Sequence, residues 1–282
     1  MKRTLLGLLR ASRLLPAADR AMLLRSHLAS RGRNRAFARS HPGVATPPPD
    51  LSFDAYHHVD RLAYLEGGHR HARVFADVLA GAGLAPGASI LEWGCGPGRI
   101  IRHLPALLPS PVLTGADYNP RSIAWCQEHL PGIAFALNGL MPPLPFADAS
   151  FDATYNFSVF THLSEAAQLA WAAELRRVLK PGGLLVCSTH GDAYCKRLAG
   201  RDETARYAGG NLVVQSGYAE GKKWFLALHP PGYVRDRLLG AFTDVRSVPV
   251  GPEADMLQDL WVARKPAQDA APGAVPDGLA AA

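Results

Sequence analysis

Apolar residues in the body of the chain, residues 52–265, follow two periods that alternate. Apolar side chains recur three or four positions apart at 75–82 and again at 123–130, which predicts amphipathic helices. Short continuous apolar runs at 89–91 and 112–116 are typical of strands that are buried on both faces. This alternation predicts an α/β fold in which a doubly wound parallel sheet carries helices on both faces.

The same reasoning predicts the remaining elements of the body. Ser164 is placed to cap a helix whose core face includes Trp171 and Leu175, and the turn Pro181-Gly182-Gly183 would end that helix. Other helices are predicted at 99–108 and 233–242, and other strands at 133–137, 153–157, 184–187, 245–250 and 259–262.

The two ends of the chain differ from this body in composition. The segment HPGVATPPPD at 41–50 contains three consecutive prolines, which favour an extended linker. Residues 266–282 are rich in alanine, proline and glycine, and we expect them to be disordered. We therefore predict an N-terminal arm with its linker at 1–51, a folded domain at 52–265 and a disordered tail.

Positive charge is concentrated in the arm. The formal net charge of the 282-residue chain is +6, but residues 1–40 contain ten basic residues and one acid and thus carry +9. The rest of the chain carries −3, so the body is not a nucleic-acid surface by charge, which disfavours nucleic acid as a partner.

The four cysteines include no Cys-x-x-Cys pair, which favours a reducing compartment and predicts no metal site. No apolar run approaches the roughly 20 residues of a membrane-spanning helix. We therefore predict a cytoplasmic protein.

Leucines alternate with arginines in the arm, and three interpretations remain open. The first is a solvated or loosely docked helical extension. The second is a basic amphipathic helix that lies on an anionic membrane surface, which would make the protein membrane-peripheral through residues 1–40. The third is an organelle transit peptide or a nucleic-acid-binding arm.

The strongest motif is ILEWGCGPGRI at residues 90–100, where a buried strand enters a loop with glycines at 94, 96 and 98. Glycines let the backbone turn sharply and approach a ligand closely. The dinucleotide fingerprint would need glycine at the position of Arg99, and no Walker-type Gly-Lys-Ser/Thr follows. Glu92 would repel a pyrophosphate but attract an ammonium group. The motif therefore favours a nucleoside that carries an amino acid over NAD.

A second motif, VLTGADYNP at 112–120, ends a strand at Asp117, 25 residues after Glu92. In doubly wound folds an acid at this position accepts hydrogen bonds from ribose hydroxyls. Tyr118 then offers a flat face to the base of the nucleoside. Asp117 alone could equally be a helix cap, but its interval from the glycine loop favours the ligand role.

Together these motifs resemble those of class I S-adenosylmethionine-dependent methyltransferases of the bacterial, small-molecule type. The segment EWGCGPG (92–98) resembles the first motif of that family, and Asp117 resembles its ribose-binding acid. PPLPFADASFDATYNFSVFTHL (142–163) and LKPGGLL (179–185) resemble its third-to-fourth strand stretch and the turn before its fifth strand. The resemblance implies a Rossmann-like, three-layer α/β/α sheet of seven strands that ends in an antiparallel hairpin, here DVRSVPVG and QDLWVARK.

The resemblance also implies the site. It places adenine beside Asn138 and Gly139, after the third strand, and the transferred methyl group beside the end of the fourth strand, from Asn156 to Ser158. The predicted residues for S-adenosyl-L-methionine are Glu92, Gly94, Cys95, Gly96, Gly98, Asp117, Tyr118, Asn138, Gly139, Phe157 and Ser158.

The predicted function is methyl transfer to oxygen of a small-molecule, sugar or glycolipid acceptor. The fourth strand lacks the Asn/Asp-Pro-Pro-aromatic sequence that enzymes acting on nucleic-acid amines carry there. An oxygen acceptor needs a base, and His162 and His190 follow strands whose carboxyl ends face the substrate edge. The insert at 191–225 has no counterpart in the shared core and is predicted to cap the acceptor side.

Two other functions stay open at this point. One is an RNA or protein methyltransferase that docks its target on the basic arm. The other is a non-catalytic module that binds the cofactor and a partner. The sequence does not identify the acceptor or the oligomeric state.

Overall fold

The computed structural model of the chain describes residues 15–216 and 218–267. The helices are α1 (Leu15–Ser40), α2 (Pro49–Tyr56), α3 (Arg61–Gly81), α4 (Pro120–His129), α5 (Glu165–Val178), α6 (Asp192–Leu198), α7 (Arg201–Ala208) and α8 (Pro231–Tyr233), which continues as a π-helical turn, Val234–Leu238. Turns of 3₁₀ helix lie at Ile101–Ala106, Phe160–His162 and Pro252–Ala254. The strands are β1 (Ser89–Trp93), β2 (Val112–Asp117), β3 (Ala134–Leu137), β4 (Phe151–Asn156), β5 (Leu179–Thr189), β6 (Val213–Gln215), β7 (Leu226–Leu228), β8 (Thr243–Val248) and β9 (Asp259–Arg264).

Within these described residues, seven strands form one sheet in the order β3-β2-β1-β4-β5-β9-β8. Strands β1 to β5 pair in parallel, whereas β9 runs antiparallel to β5 and β8 antiparallel to β9. Strands β6 and β7 form a separate antiparallel pair. The predicted doubly wound, seven-stranded sheet with a C-terminal antiparallel hairpin is therefore confirmed.

Both faces of the sheet are covered by helices, which completes the three layers. On one face Trp171 and Leu175 of α5 pack in a cluster with Trp261 of β9. On the other face Phe75 and Leu79 of α3 pack in a second cluster. Because successive strand residues point to opposite faces, the sheet buries side chains on both sides, as its continuous apolar runs predicted.

The segment after the glycine loop differs from its prediction. An α-helix was expected at 99–108, but the chain forms a 3₁₀ helix at Ile101–Ala106. Pro105 lies inside this segment, and proline has no N–H for an α-helical hydrogen bond. The Ile101 N–H donates instead to the Glu92 carboxyl, at 3.0 Å.

Helix α1, from the basic arm, docks on the helices that precede β1. Phe37 is buried, and Asn34 donates from Nδ2 to the Val59 carbonyl at 2.8 Å and accepts at Oδ1 from the Arg61 N–H at 2.9 Å. Asp60 caps α3 and pairs with Arg33. These contacts hold residues 33–37 of the arm against the body.

The first 14 residues of the arm lie outside the described residues, and so does the predicted disordered tail from residue 268 onward. The division into arm, domain and tail therefore stays a prediction. Among the helices that the structure describes, none combines the length and the apolarity needed to cross a membrane.

Candidate active site

A cavity of about 580 Å³ lies at the carboxyl ends of β1, β2, β4 and β5. Ligands bind at this edge in doubly wound sheets, because the loops that follow the parallel strands meet there. Twelve of the thirteen residues predicted for the site line this cavity: Glu92, Gly94, Cys95, Gly96, Asp117, Tyr118, Asn138, Gly139, Phe157, Ser158, His162 and His190. The exception is Gly98, which packs against Leu130 and Cys126.

The glycine loop has a conformation that side chains would disfavour. Gly94 and Gly96 have φ angles of 76° and 51°, in the left-handed region. A β-carbon at Gly94 would collide with the Val159 side chain. The N–H groups of Gly94 and Cys95 both donate to the Ala116 carbonyl, at 2.7 and 3.0 Å. The loop is thus held against the end of β2 with its backbone along the cavity.

Glu92, at the end of β1, is buried in the cavity wall. Its Oε2 accepts from the Tyr155 hydroxyl at 2.8 Å and from the Ile101 N–H at 3.0 Å. Burial raises the pKa of Glu92 to about 8, although both hydrogen bonds lower it. The ionised form is therefore costly without a nearby cation, so this carboxyl suits an ammonium group.

Asp117 joins the ends of two strands. Its Oδ2 accepts from the Gly96 N–H and its Oδ1 from the Asn119 N–H, both at 2.8 Å. Burial raises the pKa of Asp117 above its ordinary value, while the two N–H donors lower it. Each carboxylate oxygen keeps a free lone pair, so Asp117 can accept from two hydroxyl groups of a ligand.

The adenine side of the predicted site contains an unsatisfied polar atom. Asn138 donates from Nδ2 to the Gly139 carbonyl at 2.6 Å, and its buried Oδ1 has no hydrogen-bond partner among the described residues. Tyr118 lies in the same wall, and its hydroxyl donates to the Gly221 carbonyl at 3.0 Å. An unpaired amide oxygen in a cavity wall matches a ligand with an amine donor, as adenine has.

The end of β4 is held by side chains from β5 and from the loop before β9. Ser158 donates its N–H to Ser188 Oγ and accepts at Oγ from Gln258 Nε2, both at 2.8 Å. The Phe157 ring packs against the His71 ring, with centroids 4.6 Å apart. Gln258, which the motifs did not single out, therefore orients the backbone beside the cavity.

His162 has a defined tautomer. Its Nδ1 lies 2.8 Å from the Phe225 carbonyl oxygen. A carbonyl oxygen only accepts, so Nδ1 carries the proton and Nε2 carries the lone pair. Burial lowers the pKa of His162 below its ordinary value, which keeps the ring neutral at pH 7. The side chain thus meets the electronic requirement for a base.

His190 lies near His162 in a more enclosed position. The two ring centroids are 6.1 Å apart, and His190 stacks on Tyr194 at 3.8 Å. Burial, followed by the neighbouring His162 and His229, lowers the pKa of His190 well below its ordinary value. Its Nδ1 is buried without a partner among the described residues.

One segment of the predicted cap, residues 218–225, lies over the cavity, and we refer to it as the roof loop. The Gly221 N–H donates to the His162 carbonyl at 2.9 Å, and the Ser164 N–H donates to the Glu220 carboxylate at 2.6 Å. Lys222 and Lys223 also line the cavity. Because the Phe225 carbonyl ends this loop, the loop also sets the orientation of His162.

Arg99 is a half-buried cation in the cavity wall, and the sequence motifs did not mark it as a cofactor residue. Its guanidinium lies 4.7 Å from the ring centroid of Tyr56, and its Nε has no partner among the described residues. Burial lowers the pKa of Arg99, and the nearby Tyr56 and Glu92 raise it. The position directly after the glycine loop was the available signal, but the burial depends on α2, which is distant in the sequence.

Comparisons with known proteins agree with this geometry. Residues 90–183 match the family model described as "Methyltransferase domain". An uncharacterized 37.1 kDa protein in a transposon of Streptomyces fradiae is 34% identical over 137 residues, which cover 47% of this chain and 38% of that protein. A trans-aconitate 2-methyltransferase of Methylobacterium nodulans is 35% identical over 133 residues, or 45% of this chain and 47% of the relative.

A solved structure, the PH0226 protein from Pyrococcus horikoshii, shares the fold. Its TM-score is 0.51 at 18% sequence identity, and the match covers 72% of this chain and 95% of that one. The chain spans less than half the length of the two relatives named above, the Streptomyces fradiae protein and the Methylobacterium nodulans methyltransferase.

The fold, the glycine loop with Glu92 and Asp117, and the family match over residues 90–183 define a methyltransferase domain of the class I, S-adenosylmethionine-dependent type. Residues 90–183 match the model of that domain, and S-adenosyl-L-methionine is the cofactor of the class I type.

Proposed function

We propose that this chain transfers a methyl group to a hydroxyl oxygen of a small-molecule, sugar or glycolipid acceptor, with His162 as the general base. The observation that carries the proposal is the 2.8 Å contact between His162 Nδ1 and the Phe225 carbonyl. It leaves a basic nitrogen, Nε2, on a neutral ring that lines the same cavity as the cofactor residues.

The residues of the cavity suit the cofactor at several points. Asp117 would accept from the ribose hydroxyls, Asn138 Oδ1 from the adenine amine, and Glu92 would face the ammonium group. When bound, the cofactor supplies a methyl group activated by a sulfonium. The protein then contributes mainly by placing the acceptor in line with that group.

Arg99 and Tyr56 are further proposed cofactor residues. A half-buried guanidinium whose buried Nε has no partner within the part of the chain that the structure describes suits a carboxylate, and the cofactor carries one beside its ammonium group. Glu92 and Arg99 would then hold the two opposite charges of the amino-acid end of the cofactor.

The part of the cavity beneath the roof loop supports an uncharged acceptor, because both lysines of that loop are paired, Lys222 with Asp54 and Lys223 with Asp19. Besides His162 and His190, Tyr194 and Trp224 line it, and neutral imidazoles and aromatic rings suit hydroxyl groups and flat apolar faces. We place the reaction in the cytoplasm, since all four cysteines are free and buried.

The test uses two histidine variants and labelled cofactor. A screen of small-molecule, sugar and lipid acceptors with methyl-labelled S-adenosylmethionine would first identify a substrate. We expect His162→Gln to lower turnover about 100-fold or more while the affinity for S-adenosylhomocysteine stays within about threefold. His190→Gln is the matched variant and should retain more activity.

The wild-type rate should fall as pH falls, because a protonated His162 cannot accept the acceptor proton. Retention of most turnover in His162→Gln would exclude this base and would favour a nitrogen acceptor or an ionised one. If calorimetry detects no binding of S-adenosylhomocysteine, the cofactor assignment itself is wrong.

A further inference from the structure

A second cavity, of about 240 Å³, lies between α1 and the start of the body. We call it the arginine cleft. Its cationic residues are Arg31 and Arg35 of α1 and Arg61 of α3, and His27, Thr46 and Ser52 also line it. It has no lining residue in common with the active-site cavity. Tyr64 lies between the two sites, since it lines the cleft while its ring centroid is 5.7 Å from that of Tyr56, which lines the active-site cavity.

The charged side chains that line the cleft are all basic. No aspartate or glutamate is among its lining residues, and within residues 15–216 and 218–267 no carboxylate lies within ion-pair distance of Arg31, Arg35 or Arg61. The neighbouring acid, Asp60, already pairs with Arg33 and caps α3. Three exposed arginines therefore line one small cavity, and none of them has a carboxylate partner among the described residues.

The donors of the cleft indicate the class of its ligand. Guanidinium groups bind phosphate through paired hydrogen bonds, and the hydroxyls of Thr46 and Ser52 can add further donors. The volume is below that of a typical site for a drug-sized molecule but sufficient for a small anion. We propose that the arginine cleft binds a phosphate-type anion, either a soluble phosphate ester or the phosphate of a lipid headgroup.

The surface beside the cleft is a reason to test the lipid source in a separate experiment. Leu24 and Leu28 are each 60% exposed on α1, and Arg31 and Arg35 follow at helical spacing on the same face. Exposed leucines beside a phosphate site would suit the boundary of a bilayer. This inference does not depend on the methyl-transfer reaction proposed above.

The test compares two double variants with the same change in charge on the same helix. Arg31→Gln/Arg35→Gln removes two arginines from the cleft, and Arg20→Gln/Arg25→Gln removes two arginines of α1 that do not line it. The probe is inorganic pyrophosphate, titrated at constant ionic strength while the thermal unfolding temperature is measured. We expect the unfolding temperature of the wild-type chain to rise with pyrophosphate until it saturates. The affinity for pyrophosphate should fall about tenfold or more in the cleft variant and should change by no more than about twofold in the control.

Equal weakening in both double variants would show a diffuse effect of charge and would overturn the site. So would the absence of a saturable response in a folded wild-type chain. Arg61→Gln, on a different helix, should also weaken binding and covers the case in which the double variant fails to fold.

Sedimentation with vesicles distinguishes the two sources of phosphate. Binding to phosphatidic acid vesicles but not to phosphatidylcholine vesicles, with competition by pyrophosphate and loss in the cleft variant, assigns the lipid. A pyrophosphate response that depends on the cleft, with no vesicle binding, assigns a soluble ligand.

Discussion

Asp19 and Lys223, which lie 204 positions apart, form an ion pair with 2.9 Å between Oδ1 and Nζ. Asp19 is the single acid among the first 40 residues and belongs to α1. Lys223 belongs to the roof loop, and its Nζ also lies 4.0 Å from the ring centroid of Phe53. The same Asp19 Oδ1 lies 3.4 Å from Trp224 Nε1. The arm is therefore connected to the loop that sets the orientation of His162.

This pair leads to a prediction about stability. Asp19→Asn would leave a lysine whose side chain is only 5% exposed without its counter-charge. Breaking a fully buried pair costs about 3–5 kcal/mol, and we expect about 2 kcal/mol because Asp19 is partly exposed. Denaturant unfolding would measure the loss. Asp50→Asn, which breaks the exposed pair with Arg121, is the control and should cost less than about 1 kcal/mol.

A double variant separates the ion pair from other effects. Asp19→Asn/Lys223→Met should be less destabilised than Asp19→Asn alone, since no unpaired charge remains. Equal losses in the single and the double variant would show that the pair does not stabilise the roof loop.

The role of Asp117 predicts a specific loss of cofactor affinity. Asp117→Ala removes the acceptor of the proposed ribose hydrogen bonds and also frees the Gly96 N–H. We expect binding of S-adenosylhomocysteine to weaken by about 1.5–3 kcal/mol in calorimetry. Asp77→Asn, an exposed position of α3, is the control. Unchanged affinity in folded Asp117→Ala would place the site elsewhere.

Gly96→Val should impair binding further than Asp117→Ala. Its φ of 51° strains any residue with a β-carbon, and the new side chain would enter the cavity near Tyr56. The same calorimetric titration measures it, with circular dichroism to check that the variant is folded. Affinity close to that of the wild-type chain would contradict the assigned path of the glycine loop.

The raised pKa of Glu92 predicts how the stability of the chain changes between pH 4.5 and pH 8. The folded-state pKa of this carboxyl, about 8, lies above the ordinary value of 4.5, so between these values the folded chain holds a proton that the unfolded chain releases. Stability should therefore fall as pH rises from 4.5 to 8, by at most about 1.4 kcal/mol per pH unit from this group. Glu92→Gln cannot ionise, so its stability relative to the wild-type chain should increase over that range. A constant difference from pH 5 to pH 9 would contradict the raised pKa.

The lowered pKa of His229 predicts that the chain loses stability as pH falls below 6.5. His229 is fully buried, its Nε2 lies 3.2 Å from Gln168 Oε1, and burial lowers its pKa from 6.5 to about 3. The unfolded chain therefore binds a proton below pH 6.5 that the folded chain excludes, and stability is lost as pH falls. Unfolding curves at pH 7, 6 and 5 should show a shallower loss for His229→Gln. His69→Gln, an exposed position, should keep the wild-type slope.

The alternation of strands and helices and the cofactor edge of the site were predictable because their signals are local. A parallel strand buried on both faces needs a continuous apolar run, and the acid and glycines at its end follow it directly in the sequence. This is why Glu92, the glycine loop and Asp117 could be placed together before any contact was known. The helix predicted at 99–108 was wrong in type, because Pro105 has no N–H for an α-helical hydrogen bond and the segment forms a 3₁₀ turn.

The structure of the acceptor side and the docking of the arm could not be predicted, because both depend on contacts between segments that are distant in the sequence. The lone pair of His162 is set by a carbonyl 63 positions later, and the roof loop is held by Asp19 through a pair that spans most of the chain. The arginine cleft likewise forms only when α1 lies against α3, which brings Arg31 and Arg35 close to Arg61. Periodicity and motifs predict only the strand or helix to which a residue belongs and the loop beside that element. Only the packing of those elements decides which side chains from remote segments share a cavity, and with which charge and which tautomer.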